Sequence, residues 1–431
     1  MQYIILTLLV SFGLQAETLN KIIQHTLTTN PDMLLTVNNY RASKQTIKKA
    51  QAGYLPSLEL YGSYGSENSD NSTTRNRIGG DVTLNRSEIG LTLSQILFDG
   101  FRVKHQVEQQ QFLTNSSSNT VKNTSENIAL LTSEVYLEIL RRQELLELTK
   151  NNVVIHQKIL EKIKLLVRGG AGRKADVQQS SSRLSLAKSS LVNAKGRLRD
   201  AEINYRRVTG ELPIKLLLPD SIDDKLPNNS EEALYLALNK HPYLKIAKAN
   251  LAAAKSSHHQ SKSAFMPSFT FEVGVTNRDN IDGVEGTNDD MSAMLKMRYN
   301  LFRGGADTAR VQETAEKIGT AKESIRSSQR IVEEDVLLSW NGLETIRARL
   351  EYLQEYAKSA KAVLNSYKEQ FKLGQRSLLD VLDSENELFN ARTSLISAKY
   401  TKIFSVIKLL ESTGTLLETL QIELPPEIKS W

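Results

Sequence analysis

The residues that could carry covalent chemistry are few and poorly placed for it. The segment Gly169 to Lys174 resembles a phosphate-binding loop, but it lacks the Gly-Lys-Ser/Thr ending and follows a helical pattern where that loop needs a strand. His258 and His259 are adjacent, so on a helix their side chains point about 100° apart and make a poor bidentate metal site. The chain contains no cysteine, which excludes disulfides and thiolate sites. We therefore expect no enzyme, no metal site and no cofactor.

The chain consists of two similar halves. Asn30-Pro31 recurs as His241-Pro242 after 211 positions, and Thr209-Gly210 recurs as Thr413-Gly414 after 204 positions. None of the nine prolines lies between Pro56 and Pro213 or between Pro267 and Pro425, so each half contains a long stretch without the residue that breaks helices. This pattern predicts duplication of a whole domain.

The repeat divides the sequence into five parts. They are a signal peptide at 1–16, a first repeat at 17–210, an equatorial linker at 211–230, a second repeat at 231–414 and a C-terminal equatorial segment at 415–431. The first repeat is expected to contain strands at about 57–66 and 82–98 and a helical hairpin tip at about 167–176. The second is expected to contain strands at about 268–277 and 291–302 and a tip at about 371–380.

The composition is typical of exposed helices. Aromatic residues make up 6% of the chain and charged residues 24%, with a formal net charge of +6. Lysine and arginine are spread among aspartate and glutamate along the helical patterns and form no blocks, which favours solvated helix faces over a nucleic-acid surface.

The first 16 residues are uncharged, and an apolar run from Ile4 to Val10 is followed by small residues. This is typical of a secretory signal peptide cleaved after Ala16, although no lysine or arginine precedes the run. The alternative is the buried start of a first helix.

Four segments alternate between apolar and polar residues, as strands with one apolar face do. Phe269, Phe271, Val273 and Val275, for example, occupy every second position. Polar loops are expected between the strands, at 66–77 and 277–290. Four strands are too few to close a transmembrane barrel, so a barrel would need several copies of the chain. The alternative is two soluble hairpins on a helical body.

A long helix is expected after each pair of strands, over 102–167 and 306–371. At 1.5 Å per residue, each would be roughly 100 Å long. Apolar residues recur at sevens in both, and in the second the series shifts by four between Val332 and Val336. Such heptads predict coiled-coil packing, and the shift predicts a local unwinding of the supercoil.

The order of signal peptide, duplicated helix, β-hairpin, long helix and helix resembles the TolC family of outer-membrane channels. The segment from Phe371 through Asp380 and Asp383 to Thr413-Gly414 is similar to the second hairpin of that family. The resemblance implies a mainly α fold with a transmembrane β part. Three chains would form a twelve-stranded β-barrel continuous with a twelve-helix periplasmic α-barrel.

The resemblance also implies a function. Such homotrimers lie in the outer membrane of Gram-negative bacteria, extend into the periplasm and serve as exit ducts. They conduct substrates from an inner-membrane ABC or RND transporter through a periplasmic adaptor protein, also called a membrane fusion protein.

Matching this chain to the family residue by residue implies a periplasmic gate. Asp380 and Asp383 fall on the constriction acids, Arg376 on a clamping arginine, Glu161 on its acidic partner, and Phe371 on a position that is often a hydrogen-bonding tyrosine. We hypothesise that Arg376 with Glu161 holds the tip shut while Asp380 and Asp383 form a cation-selective ring. The alternative for Asp380 is that it only caps the helix that follows.

The two tip turns are the expected docking surface for the adaptor, because their small residues let a partner approach the backbone closely. The alternative is plain helix termination by glycine. The residues are Arg168, Gly169, Gly170, Gly172, Lys372, Leu373, Gly374 and Gln375.

Two questions about function stay open at this point. The segment 85–100 is similar to that of family members that serve type I protein secretion, which favours protein export over multidrug efflux. The absence of a cysteine for lipidation favours the same reading. A protein of a different class, a soluble coiled-coil scaffold, would explain the heptads but not the strand insertions.

Overall fold

The computed structural model describes residues 17–424. The predicted signal peptide and the last seven residues of the C-terminal segment lie outside the described residues. Within these bounds the chain is mainly helical and contains one antiparallel sheet. No helix in this range combines the length and the apolar character needed to cross a membrane.

The first repeat contains five helices and two strands among the described residues. They are α1 (Leu19–Thr29), α2 (Pro31–Gln51), β1 (Ser57–Ser69), α3 (Ser72–Arg77), β2 (Val82–Phe98), α4 (Arg102–Arg168) and α5 (Lys174–Thr209).

The second repeat and the C-terminal segment follow the same order without a counterpart of α3. Their elements are α6 (Ser230–Lys240), α7 (Pro242–Ser261), β3 (Ser268–Asp279), β4 (Thr287–Arg298), α8 (Ala306–Lys372), α9 (Leu378–Ser412) and α10 (Leu416–Thr419). The long helices α4 and α8 both contain 67 residues. The predicted duplication of helix, β-hairpin, long helix and helix is therefore confirmed.

The described residues form two compact units. One contains the strands and comprises residues 38–119 and 245–327. The other is helical and comprises residues 17–37, 120–244 and 328–424. It holds both hairpin tips.

The sheet has the order β1-β2-β3-β4, and its register separates apolar from polar residues. Leu60 pairs with Leu91, Leu91 with Val275, and Val275 with Met291. The neighbouring row on the same face runs through Leu58, Leu93, Val273 and Ala293. Successive residues of a strand point to opposite faces, so the row through Glu59, Thr92, Gly274 and Ser292 lies on the other face. The sheet thus has one apolar and one largely polar face.

The strand bounds differ from the prediction in the second repeat. The predicted strand at 291–302 lies at Thr287–Arg298, because Arg298 pairs with Ser268, where β3 begins. The expected polar loop at 277–290 is also shorter, since β3 and β4 are separated only by residues 280–286. Polar side chains across the strands explain the extension: Asn277 donates to Asp289 over 2.6 Å, and Arg278 pairs with Asp290. Alternation of apolar residues alone missed these polar ends.

The first repeat departs from the prediction in three places. The strand expected at 57–66 extends to Ser69, and the polar loop that follows contains α3. Asn71 stabilises α3 by accepting hydrogen bonds from the backbone N–H groups of Thr73 and Thr74. The one helix that precedes the β-hairpin in the expected order of elements is two helices, because Pro31 has no N–H and Asn30 binds the N–H of Asp32 and the carbonyl of Val208.

The heptads pack α4 against α5 and α8 against α9. Val153 and Leu160 of α4 are buried with Leu184 and Ala187 of α5. In the second repeat, one cluster joins α8 and α9 through the following residues: Ala357, Ala360, Leu364, Val381, Leu388 and Ala391. We call α4 with α5 the first hairpin and α8 with α9 the second hairpin.

The linker between the repeats is held by charge. Asp223 accepts hydrogen bonds from Lys402 at 2.7 Å, Ser221 at 2.7 Å and Arg347 at 3.0 Å. Burial opposes ionisation, but these bonds outweigh it and lower the pKa of Asp223 to about 2. The C-terminal segment is held differently, because Leu416, Leu417, Leu420 and Ile422 are buried.

Candidate functional site

The turn of the second hairpin is built to stop one helix and start the next. Gly374 ends the turn of α8 with a φ of 73°, a conformation that side chains with a Cβ rarely adopt. Ser377 is the N-cap of α9: its hydroxyl accepts from the backbone N–H of Asp380 at 3.3 Å and donates to the Asp380 carboxylate at 2.9 Å. That carboxylate also accepts from the Ser377 N–H at 3.1 Å. Asp380 is thus the reciprocal partner in a capping box and not itself the N-cap, which corrects the alternative given above.

Arg376 lies over this capping box. Its Nε donates to Gln370 Oε1 at 3.0 Å, and its guanidinium carbon lies 4.4 Å from the centre of the Tyr367 ring. Its Nη1 is 3.9 Å from Asp380 Oδ2. The bonds from Ser377, with a smaller contribution from Arg376, hold the pKa of Asp380 below its ordinary value. The arginine and one of the two predicted acids are therefore neighbours.

Asp383 has a partner that the sequence did not suggest. Nη2 of Arg183, on α5, donates to Asp383 Oδ1 at 2.7 Å. This bond joins the first hairpin to the second across 200 residues of sequence. No sequence signal marks Arg183, because it is one of many arginines on an exposed helix.

The chain does not bring Glu161 and Arg376 together. Glu161 is exposed on α4, and within residues 17–424 no hydrogen bond or ion pair joins it to Arg376. In a single chain, Arg376 is engaged by Gln370, Tyr367 and Asp380 instead. A contact between Arg376 and Glu161 would have to form between neighbouring copies, and it stays a proposal.

Phe371 is a packing residue in this chain. It lies against the apolar cluster in which Ile163 of α4 meets Leu378 and Leu382 of α9. The tyrosine near Arg376 is Tyr367, one helical turn earlier on α8. The cluster closes the tip between the two hairpins with apolar contacts.

A buried polar group that the sequence analysis missed lies behind this cluster. His156 of α4 is 5% exposed and lies near Glu385 of α9 and Arg183 of α5. Burial lowers the pKa of His156, Glu385 opposes this shift, and Arg183 adds to it. Glu385 itself pairs with Lys368 of α8 at 2.5 Å. A signal did exist, since His156 lies three residues after the heptad residue Val153 and so on the inner face of α4.

The first hairpin tip is more basic and more loosely capped. Gly170 has a φ of 80°, and Arg173 meets Asp176 over distances of 3.3 to 3.4 Å. A groove of about 520 Å³ lies beside the turn. It is lined by Lys164, Val167, Arg168, Lys174, Val177 and Gln178. The predicted docking residues of this tip are all exposed: Arg168, Gly169, Gly170 and Gly172. Those of the second tip are exposed as well: Lys372, which is the last residue of α8, and Leu373, Gly374 and Gln375.

The helical duplication and the paired tips match one family over most of the chain. The family described as outer membrane efflux protein matches residues 22–211 and 233–415, one stretch in each repeat. This chain belongs to the outer membrane efflux protein family. Members of this family are channels and not enzymes, so the soluble scaffold is no longer an alternative.

Similar proteins agree with this assignment. The chain is 25% identical over 377 residues to the outer membrane efflux protein BepC of Brucella suis biovar 1 (strain 1330). This match covers 87% of this chain and 80% of BepC. It is 23% identical over 398 residues to the proteases secretion protein PrtF of Dickeya chrysanthemi, covering 88% of this chain and 84% of PrtF. The structure of the CmeC outer membrane channel of Campylobacter jejuni has the same fold, with a TM-score of 0.79 at 16% identity, covering 92% of this chain and 86% of CmeC.

The structure also accounts for the residues that first suggested other chemistry. Gly169 to Lys174 follow the end of α4, so the segment is a helix-to-helix turn and not a loop after a strand. His258 contacts the Thr314 hydroxyl at 3.0 Å, and the rings of His259 and His105 lie 5.3 Å apart. Among residues 17–424, no group of three or more histidine, aspartate or glutamate side chains is arranged to hold a metal ion. The protein is an outer-membrane channel that extends into the periplasm.

Proposed function

We propose that this channel is the exit duct of a tripartite export system and that secreted proteins are its main cargo. The observation that carries the proposal is the tip of the second hairpin, where Arg376, Asp380 and Asp383 lie close to the first hairpin and Asp383 contacts Arg183. A duct that receives its cargo from partner proteins needs an end that can open, and charged side chains at a turn are suited to that task.

Three copies would complete the duct. β1 and β4 are the edges of the sheet, and an edge strand in lipid must be paired because unsatisfied backbone groups are costly there. Val192 of α5 is 71% exposed and Tyr352 of α8 is 76% exposed, so both outer helices of the hairpins leave large apolar side chains without cover. Contact of α5 in one copy with α8 in the next would bury both and close a ring.

The gate would open by separation of the second hairpin from the first. In the closed tip each arginine lies next to an acid, Arg376 near Asp380 and Arg183 near Asp383. Of these two contacts, Arg183–Asp383 is the one that joins the hairpins, and breaking it would free the Asp383 carboxylate inside a narrow tunnel, where crowded negative charge attracts cations. Glu161 of a neighbouring copy would supply the further acid that Arg376 lacks within its own chain.

The two tips would receive the periplasmic adaptor, and an inner-membrane ABC or RND transporter would act through it. Support for the docking role comes from the exposure of both turns and from the groove beside the first one. Glycine at these turns lets a partner backbone approach closely.

Current through planar lipid bilayers tests the channel and the gate. We expect a small, cation-preferring conductance from the native protein and a larger conductance from Arg376→Ser. Lys372→Ser is the matched control, because Lys372 is a tip cation whose ion pair with Glu369 stays within α8. Equal conductance in Arg376→Ser and Lys372→Ser would contradict the role of Arg376.

The cargo needs a separate experiment in the host. The similarity to PrtF over most of both chains supports protein secretion, whereas the similarity to BepC supports efflux. A strain without this chain should lose secreted protein from the culture supernatant, and the plasmid-borne chain should restore it. Unchanged secretion together with greater sensitivity to antibiotics and detergents would favour multidrug efflux instead.

A further inference from the structure

One ion pair connects the two hairpins near their tips. Arg183 lies on α5, two turns into the helix, and Asp383 lies on α9, also close to its start. Their bond of 2.7 Å is a direct, charge-assisted contact between a guanidinium nitrogen and a carboxylate oxygen. Opening of the tip by separation of the hairpins must break it.

Other connections between the hairpins lie elsewhere or are apolar. Glu144 of α4 accepts a hydrogen bond from the Tyr400 hydroxyl at 2.8 Å and lies 3.5 Å from Lys399, but this contact is several turns away from the tip. The cluster of Ile163, Leu378 and Leu382 lies at the tip but carries no charge. Within the described part of the chain, the Arg183–Asp383 bond is therefore the charged connection between the hairpins closest to their ends.

The pair also changes the charge that the tunnel presents. Asp383 is one of the two acids expected to attract cations, yet in this structure the positive charge of Arg183 lies directly against it. The carboxylate of Asp380, the other acid, accepts a hydrogen bond from the Ser377 hydroxyl and lies near Arg376. In this state neither carboxylate is a free negative charge.

We propose that Arg183 is a latch and positioning residue that couples the selectivity of the channel to its opening. In the closed tip Arg183 holds the second hairpin and masks Asp383. When the hairpins separate, the bond breaks and Asp383 becomes a free carboxylate that attracts cations. The inference rests on the proposed gated channel and adds a residue of the first hairpin to it.

The surroundings of Arg183 favour this role. Its side chain is about two-thirds covered, and the next residue, Leu184, is buried against α4. The guanidinium points towards α9, where it donates to Asp383. His156 of α4 and Glu385 of α9 lie beside it. An arginine can hold one carboxylate through several N–H donors, whereas glutamine is shorter, keeps a polar amide and carries no charge.

Bilayer recordings of five proteins test the latch: the native chain, Arg183→Gln, Arg183→Lys, Asp383→Asn and the double variant Arg183→Gln with Asp383→Asn. Both conductance and reversal potential in a salt gradient are measured. Lys188→Gln is the matched control, since Lys188 is an exposed cation on the same helix. An exposed ion pair shifts an equilibrium by up to about fivefold per copy, so three copies acting together could raise the open fraction by up to about a hundredfold.

The expected results differ among the variants. Arg183→Gln should open more often and prefer cations more strongly than the native protein at rest, and Arg183→Lys should restore both properties in part. Asp383→Asn should open as often as Arg183→Gln but prefer cations less. The double variant should open no more often than either single one. If Arg183→Gln matches the native protein and Lys188→Gln in both measurements, the latch is wrong. If no protein conducts, including the native one, the proposed channel function fails instead.

A cross-linking experiment gives an independent answer. The chain has no cysteine, so Arg183→Cys with Asp383→Cys introduces a single pair of thiols per copy. Joined by a short, cleavable thiol-reactive linker, this variant should lose its high-conductance state and regain it when the linker is cleaved. High conductance with the linker intact would show that the hairpins need not separate at this point, and would overturn the proposal.

Discussion

The two return helices, α5 and α9, have nearly the same length but very different surroundings. α9 has 15 buried residues and lies between α8 and α4, with apolar clusters on both sides. α5 has 7 buried residues and packs mainly on α4. Val192 and Ile203 of α5 are 71% and 67% exposed. The duplication thus gave one helix an interior position and left its counterpart at an edge, with apolar residues that a neighbouring copy can bury.

The largest expected effect is loss of the trimer when the edge helix is charged. Val192 and Ile203 are eleven residues apart, close to three helical turns, and so lie on one side of α5. Val192→Asp with Ile203→Asp should yield folded but monomeric protein, because the proposed contact with α8 of the next copy would bury two carboxylates. Light scattering of the detergent-solubilised protein measures the mass. Asn193→Asp is the control, since Asn193 is exposed but about 100° further round the helix. A trimer in the double variant would show that this side of α5 is not an interface.

The interior helix should respond to loss of volume, and the edge helix should not. Leu382 of α9 is fully buried against Ile163, so Leu382→Ala is expected to cost about 2–5 kcal/mol in the free energy of unfolding. Leu186 of α5 is 60% exposed, and Leu186→Ala should stay within about 0.5 kcal/mol in a monomeric background. Urea unfolding followed by circular dichroism compares them. Similar costs at both positions would remove the distinction between edge and interior.

The two long helices differ in the same way at one corresponding position. Glu126 of α4 is 8% exposed and accepts from the Leu417 N–H at 3.3 Å, whereas its counterpart 204 residues later, Arg330 of α8, is exposed. Burial raises the pKa of Glu126 to about 8, and although the bond from Leu417 opposes this shift, Glu411 adds to it. The folded chain therefore binds a proton more tightly than the unfolded chain.

This difference sets the sign of a pH dependence. The stabilisation from protonated Glu126 is fully present below the unfolded pKa of 4.5 and is lost as the pH rises towards about 8. Between pH 5 and pH 8 the free energy of unfolding should fall by roughly 3 kcal/mol more in the native chain than in Glu126→Gln. Glu134→Gln, an exposed position on the same helix, is expected to follow the native chain. If the free energy of unfolding changes with pH equally in Glu126→Gln and in the native chain, the pH dependence arises from another group.

The smallest effect compares the two helix caps at the tips. Ser377 makes a compact capping box with Asp380, so Ser377→Ala should cost about 1 kcal/mol. Arg173 makes only long contacts with Asp176, so Arg173→Ala should cost less than about 0.5 kcal/mol. Amide hydrogen exchange at the first turns of α9 and α5 measures the local cost. Equal losses of protection would mean that the two caps are equivalent despite their geometry.

The sequence predicted the regular parts of the fold well. The heptads placed the ends of α4 and α8 within one residue, because a core stripe repeats over the whole length of such helices. Strand ends were harder, since Thr287 to Asp290 of β4 are polar and alternation carries no signal there. The short helix α3 was missed because a single capping asparagine, Asn71, determines it.

The candidate site was predictable only in part. The resemblance to a family pointed to Arg376, Asp380 and Asp383, but the roles of these residues stay predictions. The partner of Asp383 could not be read from the sequence, because Arg183 meets it only when two hairpins pack side by side. Contacts within a helix follow from spacing, whereas contacts between hairpins depend on how far each is rotated.

The contacts between the hairpins have a consequence for how such a chain can evolve. Glu144 meets Tyr400 at one level and Ile163 meets Leu382 at another, and almost equal stretches of helix separate the two levels on α4 and on α9. An insertion in one helix between these two levels would displace one of the two contacts. Every residue beyond the insertion would also be rotated away from its partner on the other helix. We therefore expect lengths in related chains to change by whole heptads and in all four hairpin helices at once, so that these helices lengthen or shorten as one inherited set.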